Sequence, residues 1–151
     1  MMTNSYKTVL FDIDGTLANI EHRRPILEKD PRNWKGFFAA MGDDTPNKAV
    51  VGLYSLLWAS DEHECIIISG RPEDYRKVTE QWFIWNNIPF DRLIMRKKND
   101  DRADYLIKEE MLKTLLAEGK EIAFVVDDRQ SVVDMWRRNG LTCFQCDDYD
   151  G

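Results

Sequence analysis

Runs of consecutive apolar residues recur along the chain, and each run ends in polar residues. The three longest are KTVLFDI from residue 7, ECIIISG from residue 64 and EIAFVVDD from residue 121. Two shorter runs, RLIMR from residue 92 and LTCFQC from residue 141, have the same form. A continuous apolar run with polar ends is typical of a strand that is buried on both faces of a sheet. The pattern therefore predicts five strands.

Four segments between these runs carry apolar residues at helical spacing. Residues 46–60 and 72–86 both begin with proline, which favours the first turn of a helix. Residues 102–118 place their apolar side chains along one face, and residues 129–139 are followed by Gly140, a common helix stop. The alternation of strands and helices predicts an α/β fold, with a mainly parallel sheet covered by helices on both faces.

Polar side chains follow three of the predicted strands at the point where each strand ends. They are Asp12, Asp14, Ser69, Arg71, Asp127 and Asp128. Ligands of parallel sheets bind beyond the carboxyl ends of the strands, where the strand order reverses. The pattern therefore predicts a single site at this edge of the sheet.

The segment of about residues 18–45 does not alternate in this way. It is too long for a plain connection, so we expect a single domain, residues 1–151, with a small cap or lid inserted after the first strand. The alternative is an ordinary helical insertion that packs Trp34, Phe37 and Phe38 against the body of the domain. Both interpretations can hold together.

Charge limits the kinds of partner that the chain can bind. Apolar residues make up 43% and charged residues 32%, as in an ordinary globular protein, and the net charge is −6. An acidic protein binds nucleic-acid backbone poorly unless local basic residues or a metal overcome its field. Part of the acidic excess lies in the terminal CDDYDG, which we interpret as a solvated tail.

The same sequence indicates where the protein resides. It contains no apolar run long enough for a membrane span and no apolar signal segment at its start, so we expect neither a membrane partner nor secretion. Three cysteines without a signal segment fit reduced thiols in the cytoplasm. Cys143 and Cys146 have the spacing of half a zinc site, but the second half is missing, and we interpret them as incidental thiols in a strand.

Four carboxylates converge in this arrangement, and carboxylates that lie close together either take up protons or bind a cation. They belong to Asp12, Asp14, Asp127 and Asp128. Mg²⁺ is the expected cofactor, because it binds a few carboxylates, waters and a substrate phosphate. The alternative for the second pair is that Asp128 caps the helix that begins near Arg129.

Two of these carboxylates suit covalent phosphoryl transfer. A carboxylate can attack phosphorus, and Asp12, at the strand end, is the expected nucleophile. Asp14 lies two residues on and therefore on the same side, where it can act as general acid and then as general base. Gly15 permits the tight turn that follows, and Thr16 can hydrogen-bond the phosphoryl oxygens.

Three further residues can neutralise or orient a phosphoryl group. Ser69 can donate to a phosphate oxygen, Lys108 supplies a point charge, and Arg71 can bind a phosphate through both arms of its guanidinium. The alternatives are a surface lysine in a helical ion pair and an exposed loop arginine.

The motifs DIDGT, IIISGR, Lys108 and VVDD resemble, in this order, the four motifs of the haloacid dehalogenase-like phosphohydrolases. The resemblance implies a three-layer Rossmann-like core, with Asp12 as nucleophile and Asp14 as general acid and base. It also implies that Ser69 and Lys108 surround the phosphoryl group. The implied magnesium ligands are Asp12, the main-chain carbonyl of Asp14, and Asp127 or Asp128.

A narrower resemblance covers the whole chain except about residues 24–45. The segments SGRPEDYRKVTEQW, RADYLIKEE and VDDRQSVVDMWRRNGLTCFQ are similar to the 3′-phosphatase domains of phage polynucleotide kinases. The expected substrate-binding residues are Thr16, Gly70, Arg23 and Arg71. Asp104 is expected to hold Lys108 or Arg71 in place; the alternative is a favourable charge at a helix N-terminus.

These features favour a magnesium-dependent phosphoric monoester hydrolase that removes 3′-terminal phosphates from DNA or RNA. Support also comes from a basic set, Arg23, Arg24, Arg71, Arg96, Lys97 and Lys98, although the MRKK stretch fits a solvated turn equally well. The runner-up is a phosphatase for nucleotides or other small molecules, and a third hypothesis is a noncatalytic interaction protein. The sequence lacks the G-x-x-x-x-G-K-[ST] loop of a kinase, which leaves room for a functional partnership with a separate kinase or ligase.

Overall fold

A computed structural model describes residues 6–28 and 31–149. In chain order the strands of this part are β1 (Lys7–Phe11), β2 (Ala18–Asn19), β3 (Thr45–Pro46), β4 (His63–Pro72), β5 (Arg92–Arg96), β6 (Ile122–Arg129) and β7 (Cys143–Tyr149). The α-helices are α1 (Trp34–Ala39), α2 (Lys48–Ser60), α3 (Arg76–Trp85), α4 (Asp104–Ala117) and α5 (Gln130–Arg138). Short 3-10 helices cover Arg24–Leu27, Met41–Asp43 and Glu73–Tyr75.

The main sheet contains five parallel strands in the order β5-β4-β1-β6-β7, which confirms the predicted α/β fold. The chain moves from β1 outward to β4 and β5, and then returns to the other side of β1 with β6 and β7. The strand order therefore reverses at β1, and the carboxyl end of β1 is the place where such a sheet binds ligands.

Helices cover both faces of the sheet, and each face has its own core. Val9 and Phe11 of β1 point to one face, where they pack with Tyr54 of α2 and Trp82 of α3. Leu10 points to the opposite face and packs with residues of α4 and α5. This alternation along a fully buried strand produces the three layers that the sequence predicts.

The four predicted helices are confirmed, and each begins one to four residues later than expected. Pro46 and Pro72 belong to β3 and β4, where each pairs with a neighbouring strand, so α2 starts at Lys48 and α3 at Arg76. Gly140 follows α5 with φ of 79°, the left-handed conformation expected of a helix stop. Among the described residues, no helix is long and apolar enough to cross a membrane.

The insertion after β1 is closed at its base by a two-stranded antiparallel pair. Asn19 of β2 lies opposite Thr45 of β3, and α1 with two of the 3-10 helices lies between them. The three aromatic side chains predicted there differ in exposure: Phe37 is buried, Phe38 is half-buried and Trp34 is exposed. Packing of the insertion against the body therefore explains the burial of Phe37, but it does not involve most of the Trp34 side chain. A lid function of the insertion remains a prediction.

The acidic C-terminal cluster is not a free tail. Residues 146–149 continue β7 beside β6, and Tyr149 pairs with Arg129. The solvated-tail interpretation is therefore wrong for this part, although the side chains of Asp147 and Asp148 are exposed as it expected. Residues 150 and 151 lie outside the described part of the chain.

Candidate active site

Three buried carboxylates, here named the carboxylate cluster, meet at the carboxyl end of β1: Asp12, Asp127 and Asp128. One oxygen of each lies within 4.8 Å of the others. The parallel pairing of β1 with β6 brings them together, because Phe11 lies beside Val126 and the acidic residues come next on both strands. The main-chain amide of Asp12 donates to the carbonyl of Val126 at 3.1 Å.

One lysine faces these carboxylates. The Lys108 Nζ donates to Asp12 Oδ1 at 2.8 Å and to Asp127 Oδ2 at 3.1 Å, and it is buried. Burial by itself lowers the pKa of Lys108, but the carboxylates of Asp104, Asp12 and Asp127 outweigh burial and raise this pKa. Lys108 therefore stays charged, and a single ammonium opposes three carboxylates.

The remaining negative charge appears in the pKa values of the carboxylates. Burial and the neighbouring Asp127 raise the pKa of Asp12 well above its usual range. The same two causes raise the pKa of Asp128 to about 7. The cluster therefore either holds protons near neutral pH or binds a cation that neutralises it.

Hydrogen-bond donors of the protein take up more of the Asp127 carboxylate than of the Asp128 carboxylate. Asp127 Oδ2 accepts from Lys108 and from Trp136 Nε1, and its Oδ1 accepts from the main-chain amide of Asp128. Asp128 lines the cavity, and Arg24 Nη2 lies 3.5 Å from its Oδ2. Asp128 is therefore the better placed of the two to bind a cation directly.

The alternative role for Asp128, capping of the next helix, is wrong. The N-cap residue of α5 is Arg129, and no side chain caps this helix. β6 runs through Asp128 as far as Arg129, so Asp128 lies one residue too early for the capping position.

The turn after β1 has no room for a side chain at Gly15. Its φ is 80°, and a Cβ there would lie 2.0 Å from Asp128 Oδ2. The next residue, Thr16, is buried and donates its hydroxyl to Asp12 Oδ2 at 3.0 Å. Thr16 therefore orients Asp12 in this structure, and its contact with a phosphoryl group remains a prediction.

A second charged group, here named the guanidinium cluster, consists of Asp14, Arg23, Asp44 and Arg71. Arg23 Nη2 donates to Asp14 Oδ1 at 2.6 Å and to Asp44 Oδ2 at 2.7 Å. Arg71 Nη2 donates to the same two oxygens at 2.7 Å and 3.2 Å. Burial by itself raises the pKa of Asp14, but Arg71 and Arg23 outweigh it and hold this pKa far below its usual range.

The side chains of the two arginines are fully buried in this structure, so neither is accessible to a substrate. Both side chains have an exposed fraction of 0%, and Arg23 also stacks on Phe37 at 4.2 Å from the ring centre. Their contact with substrate remains a prediction. In this structure they position Asp14, whose carboxylate lines the cavity next to Asp12.

Asp104 was expected to hold either Lys108 or Arg71, and the structure places it beside Lys108. Asp104 Oδ2 lies 3.5 Å from Lys108 Nζ, and its Oδ1 lies 3.4 Å from Arg96 Nη2. The side chain of Arg71 instead donates to Asp14, Asp44 and Thr79. Asp104 thus joins the lysine of α4 to an arginine at the end of β5.

The segment after the core of β4 approaches Asp104 closely. A Cβ at Gly70 would lie 1.9 Å from Asp104 Oδ1, so a side chain at this position would displace Asp104. Ser69 is buried, and its hydroxyl accepts from the main-chain amide of Arg71 at 3.0 Å. Gly70 lines the cavity, and the phosphate contacts predicted for both residues remain predictions.

A cavity of about 460 Å³ opens above these residues. Its base is formed by charged residues, and the remaining wall is largely aromatic or basic. The charged residues at its base are Asp12, Asp14, Asp104, Lys108, Asp127 and Asp128. The side chains on the wall include Ile20, Arg24, Arg32, Trp34, Phe38, Arg129 and Tyr149. Such a cavity can take a ligand that is anionic at one end and flat and apolar at the other.

Sequence reasoning missed Asp44 and Trp136. Asp44 follows another aspartate in the insertion, and nothing local distinguishes the two. The available signal was charge, because the two arginines that were expected to bind substrate at this site need carboxylate partners if they are buried. Trp136 lies on the buried face of α5, and its indole is a partner of Asp127 only through the packing of that helix.

Comparison with known proteins agrees with this geometry. A family model described as the polynucleotide kinase PNKP phosphatase domain matches residues 6–150. The chain belongs to this family. Members of the PNKP phosphatase family are phosphatase domains of the haloacid dehalogenase-like type, and the resemblance found in the sequence motifs is thereby confirmed.

Similar proteins are larger than this chain. It is 29% identical over 134 residues to a "Putative bifunctional polynucleotide kinase/RNA ligase" of Autographa californica nuclear polyhedrosis virus. The aligned region covers 87% of this chain and 18% of that relative. It is 32% identical to a chain in a solved Pnkp1/Rnl/Hen1 RNA repair complex, with a TM-score of 0.84 over 99% of this chain and 45% of that one. The PNKP phosphatase domain described here thus spans less than half the length of either.

More distant structures share the fold alone. A hydrolase from Streptococcus pneumoniae TIGR4 has a TM-score of 0.62 at 12% identity and covers 93% of this chain. This likeness shows that the PNKP phosphatase domain shares its α/β fold with distant proteins.

Proposed function

We propose that this domain removes 3′-terminal phosphates from DNA or RNA, with Mg²⁺ as cofactor and an aspartyl-phosphate intermediate on Asp12. The observation that carries the proposal is the convergence of Asp12 with Lys108, Asp127 and Asp128 at the end of β1. A buried carboxylate next to a charged lysine and spare acidic groups suits attack on a phosphoryl group. Family membership supports the choice of a polynucleotide substrate.

The donor set of the carboxylate cluster fits Mg²⁺. Its oxygens are the hard ligands that this ion prefers, and the raised pKa values of Asp12 and Asp128 indicate negative charge that the protein does not neutralise. Asp12, Asp128 and the main-chain carbonyl of Asp14 would hold the ion. When bound, it neutralises charge on the phosphoryl oxygens and lets an anionic substrate approach the carboxylates.

The chain's own residues account for the proton and bond changes. A carboxylate oxygen of Asp12 attacks phosphorus as the bond to the substrate's 3′-oxygen breaks, and that oxygen takes a proton from Asp14. Asp14 then removes a proton from a water molecule that attacks the aspartyl phosphate, which releases phosphate and restores Asp12. Arg23 and Arg71 hold Asp14 ionised in this structure, so its acid step requires that it leave their contact.

Partnership with a kinase or ligase is the corresponding proposal for the biological setting. The viral relative is described as a bifunctional polynucleotide kinase/RNA ligase, and the solved relative lies in an RNA repair complex. A phosphatase that leaves a 3′-hydroxyl produces the end that a ligase needs. The proposed location is the cytoplasm, because the three cysteines are free and reduced thiols are typical of that compartment.

A phosphatase for free nucleotides is the second candidate. The net charge of −6 favours it, because an acidic protein binds extended backbone weakly. A cavity of about 460 Å³ also has room for a nucleotide. A mononucleotide 3′-phosphate should then react as well as an oligonucleotide.

The test measures phosphate release from 3′-phosphorylated DNA and RNA oligonucleotides and from a 3′-mononucleotide, each with Mg²⁺ or with a chelator. We expect Mg²⁺-dependent release from the oligonucleotides, and a loss of more than about 10⁴-fold in kcat for Asp12→Asn, because the nucleophile is removed. Asp61→Asn is the matched control, since Asp61 is exposed and has a φ of 55°, which asparagine also adopts.

Three results would contradict the proposal. Turnover of a generic aryl phosphate without release from any 3′-phosphorylated oligonucleotide would reject the nucleic-acid substrate. Full activity in the chelator would reject the cofactor. Full activity of Asp12→Asn would reject covalent catalysis on Asp12.

A further inference from the structure

The cavity has an exposed aromatic surface, here named the aromatic platform, which consists of Trp34 and Phe38. The two rings are stacked, with centroids 5.9 Å apart and an interplanar angle of 26°. Tyr75 supports Phe38 from outside the insertion, at 5.1 Å and 35°. Trp34 is 44% exposed although it lines the cavity, so its indole faces open space that a ligand can fill.

The packing of the insertion does not require this exposed indole. Phe37, on the same helix, is 5% exposed and carries the packing against the body of the domain. Trp34 contacts the edge of Phe37 with centroids 5.9 Å apart but buries little of its own surface. An exposed large aromatic at the mouth of a site is a common mark of ligand binding.

Local structure fixes the position of the platform. The side chain of Asn33 accepts from the main-chain amide of Gly36 at 2.9 Å and caps the helix whose first residue is Trp34. A Cβ at Gly36 would lie 2.4 Å from Asn33 Nδ2, so the cap needs glycine at this position. The cap therefore fixes the backbone at Trp34, and the ring contacts with Phe37 and Phe38 hold the indole.

The cavity offers different chemistry at a second part of its wall. Arg24 stacks over Tyr149 at 3.9 Å from the ring centre and lies 3.5 Å from Asp128. The cationic side chain of Arg24 suits a phosphate, whereas the platform suits a flat apolar group. A nucleotide joins these two chemistries in one molecule.

We propose that the aromatic platform stacks against the base of the terminal nucleotide whose 3′-phosphate lies at Asp12. This inference rests on the proposed function and narrows its substrate to ends that carry a base. Stacking on aromatic side chains discriminates little among bases, because every base has a π-face. A terminal base on Trp34 is also unstacked from its own strand, so single-stranded or frayed ends are the expected substrates.

The test compares two oligonucleotides of the same sequence that both carry a 3′-phosphate. One has an ordinary terminal nucleotide and the other has an abasic sugar at that position. Base–aromatic stacking predicts that the wild-type kcat/KM is roughly 5- to 140-fold higher for the substrate with the base. Trp34→Ala should bring this ratio close to one, mainly by lowering kcat/KM for the substrate with the base, and Trp34→Phe should restore most of it.

A matched control separates stacking from a general loss of tryptophan. Trp85 of α3 is 70% exposed and does not line the cavity, so Trp85→Ala should keep the wild-type ratio. Thermal unfolding of each variant shows whether the domain still folds. The exposure of both indoles predicts small changes in stability.

The outcomes distinguish this inference from the proposed function. Equal kcat/KM of the wild type for both oligonucleotides overturns the platform but leaves the 3′-phosphatase intact. Equal losses on both substrates in Trp34→Ala also overturn it, since a structural role does not depend on the base. Release from neither oligonucleotide overturns the proposed function itself.

Discussion

The carboxylate cluster is buried, and so is the guanidinium cluster except for Asp14, which is half-buried. A single residue, Ile13, separates Asp12 of the first from Asp14 of the second. They differ in charge balance. Three carboxylates of the first face one ammonium and, 3.5 Å from Asp128, the guanidinium of Arg24, whereas two carboxylates of the second face two guanidinium groups. Burial acts on both in the same direction, so the opposite pKa shifts of Asp12 and Asp14 come from their partners.

This difference separates two tasks of the site. The guanidinium cluster is neutral without any ligand, so it can hold Asp14 in place before substrate binds. The carboxylate cluster has more negative than positive charge, so it is stable as a fully charged group only when a cation joins it. The first should therefore respond to mutation as part of the fold, and the second should respond to pH and metal.

The largest expected effect comes from removing one carboxylate of the balanced cluster. Asp44→Ala leaves Arg23 and Arg71 with Asp14 as their remaining carboxylate, and an uncompensated buried charge costs about 3–5 kcal/mol. We expect this loss in the free energy of unfolding, measured by urea denaturation at neutral pH. Activity should fall as well, because Asp14 loses its fixed position.

The control is the exposed partner of the same carboxylate. His22 Nε2 lies 2.7 Å from Asp44 Oδ1, but its side chain is 39% exposed and Arg23 already donates to that oxygen. His22→Ala should cost less than about 1 kcal/mol. A loss of similar size in the two variants would show that the cluster is not balanced by its arginines.

The next effect concerns pH and belongs to the carboxylate cluster. The pKa of Asp128 is about 7 in the folded state, against 3.8 for an ordinary aspartate, because burial and Asp127 disfavour its charge. The folded state therefore holds a proton that the unfolded state releases above about pH 4. Its stabilising contribution is complete below that pH and is lost as the pH rises to about 7, by about 2–4 kcal/mol without metal.

Asp14 does not disturb this measurement. Its pKa is lowered, so its contribution is present above about pH 4 and is lost only as the pH falls further. Urea denaturation between pH 4 and 7 should show the slope in the wild type and a flatter profile in Asp128→Asn, in which the raised pKa of Asp12 still contributes in the same direction. Mg²⁺ in excess should restore stability at pH 7 by binding the folded state. A rise in metal-free stability over this range would contradict the charge imbalance.

The fold was predictable because its signals are local. Continuous apolar runs marked all five strands of the main sheet, and helical spacing marked four helices. Two of the predicted helix starts were wrong because of prolines. Proline favours the first turn of a helix, but Pro46 and Pro72 each pair with a distant strand and lie before the helix. The terminal acidic stretch was misinterpreted for the same reason, since its pairing with β6 is invisible in its composition.

The site was predictable only where strand ends define it. Asp12, Asp127 and Asp128 follow apolar runs, so the parallel sheet rule brings them together. Asp44 follows no strand of the main sheet, and its place beside Asp14 depends on how the insertion folds back. Which of Asp127 and Asp128 is better placed to bind a cation depends on Trp136. Its indole donates to Asp127 only because α5 packs against the sheet, and the sequence does not show this contact.

The smallest expected effect tests how the carboxylate cluster keeps its lysine in place. Gly70→Ala puts a Cβ within 1.9 Å of Asp104 Oδ1, and Asp104 must move away from Lys108 and Arg96. A displacement of this size should lower kcat by up to about 100-fold, measured on a 3′-phosphorylated oligonucleotide. The guanidinium cluster keeps its contacts, so the loss of stability should be smaller than in Asp44→Ala.

A second glycine provides the matched control. Gly52 lies in α2 with no atom within 4 Å of an added Cβ, so Gly52→Ala should keep full activity and raise stability by about 0.5–1 kcal/mol. If Gly70→Ala kept full activity while folding normally, Asp104 would not hold Lys108 for catalysis. The ammonium of Lys108 would then be positioned by Asp12 and Asp127 alone, without help from Asp104.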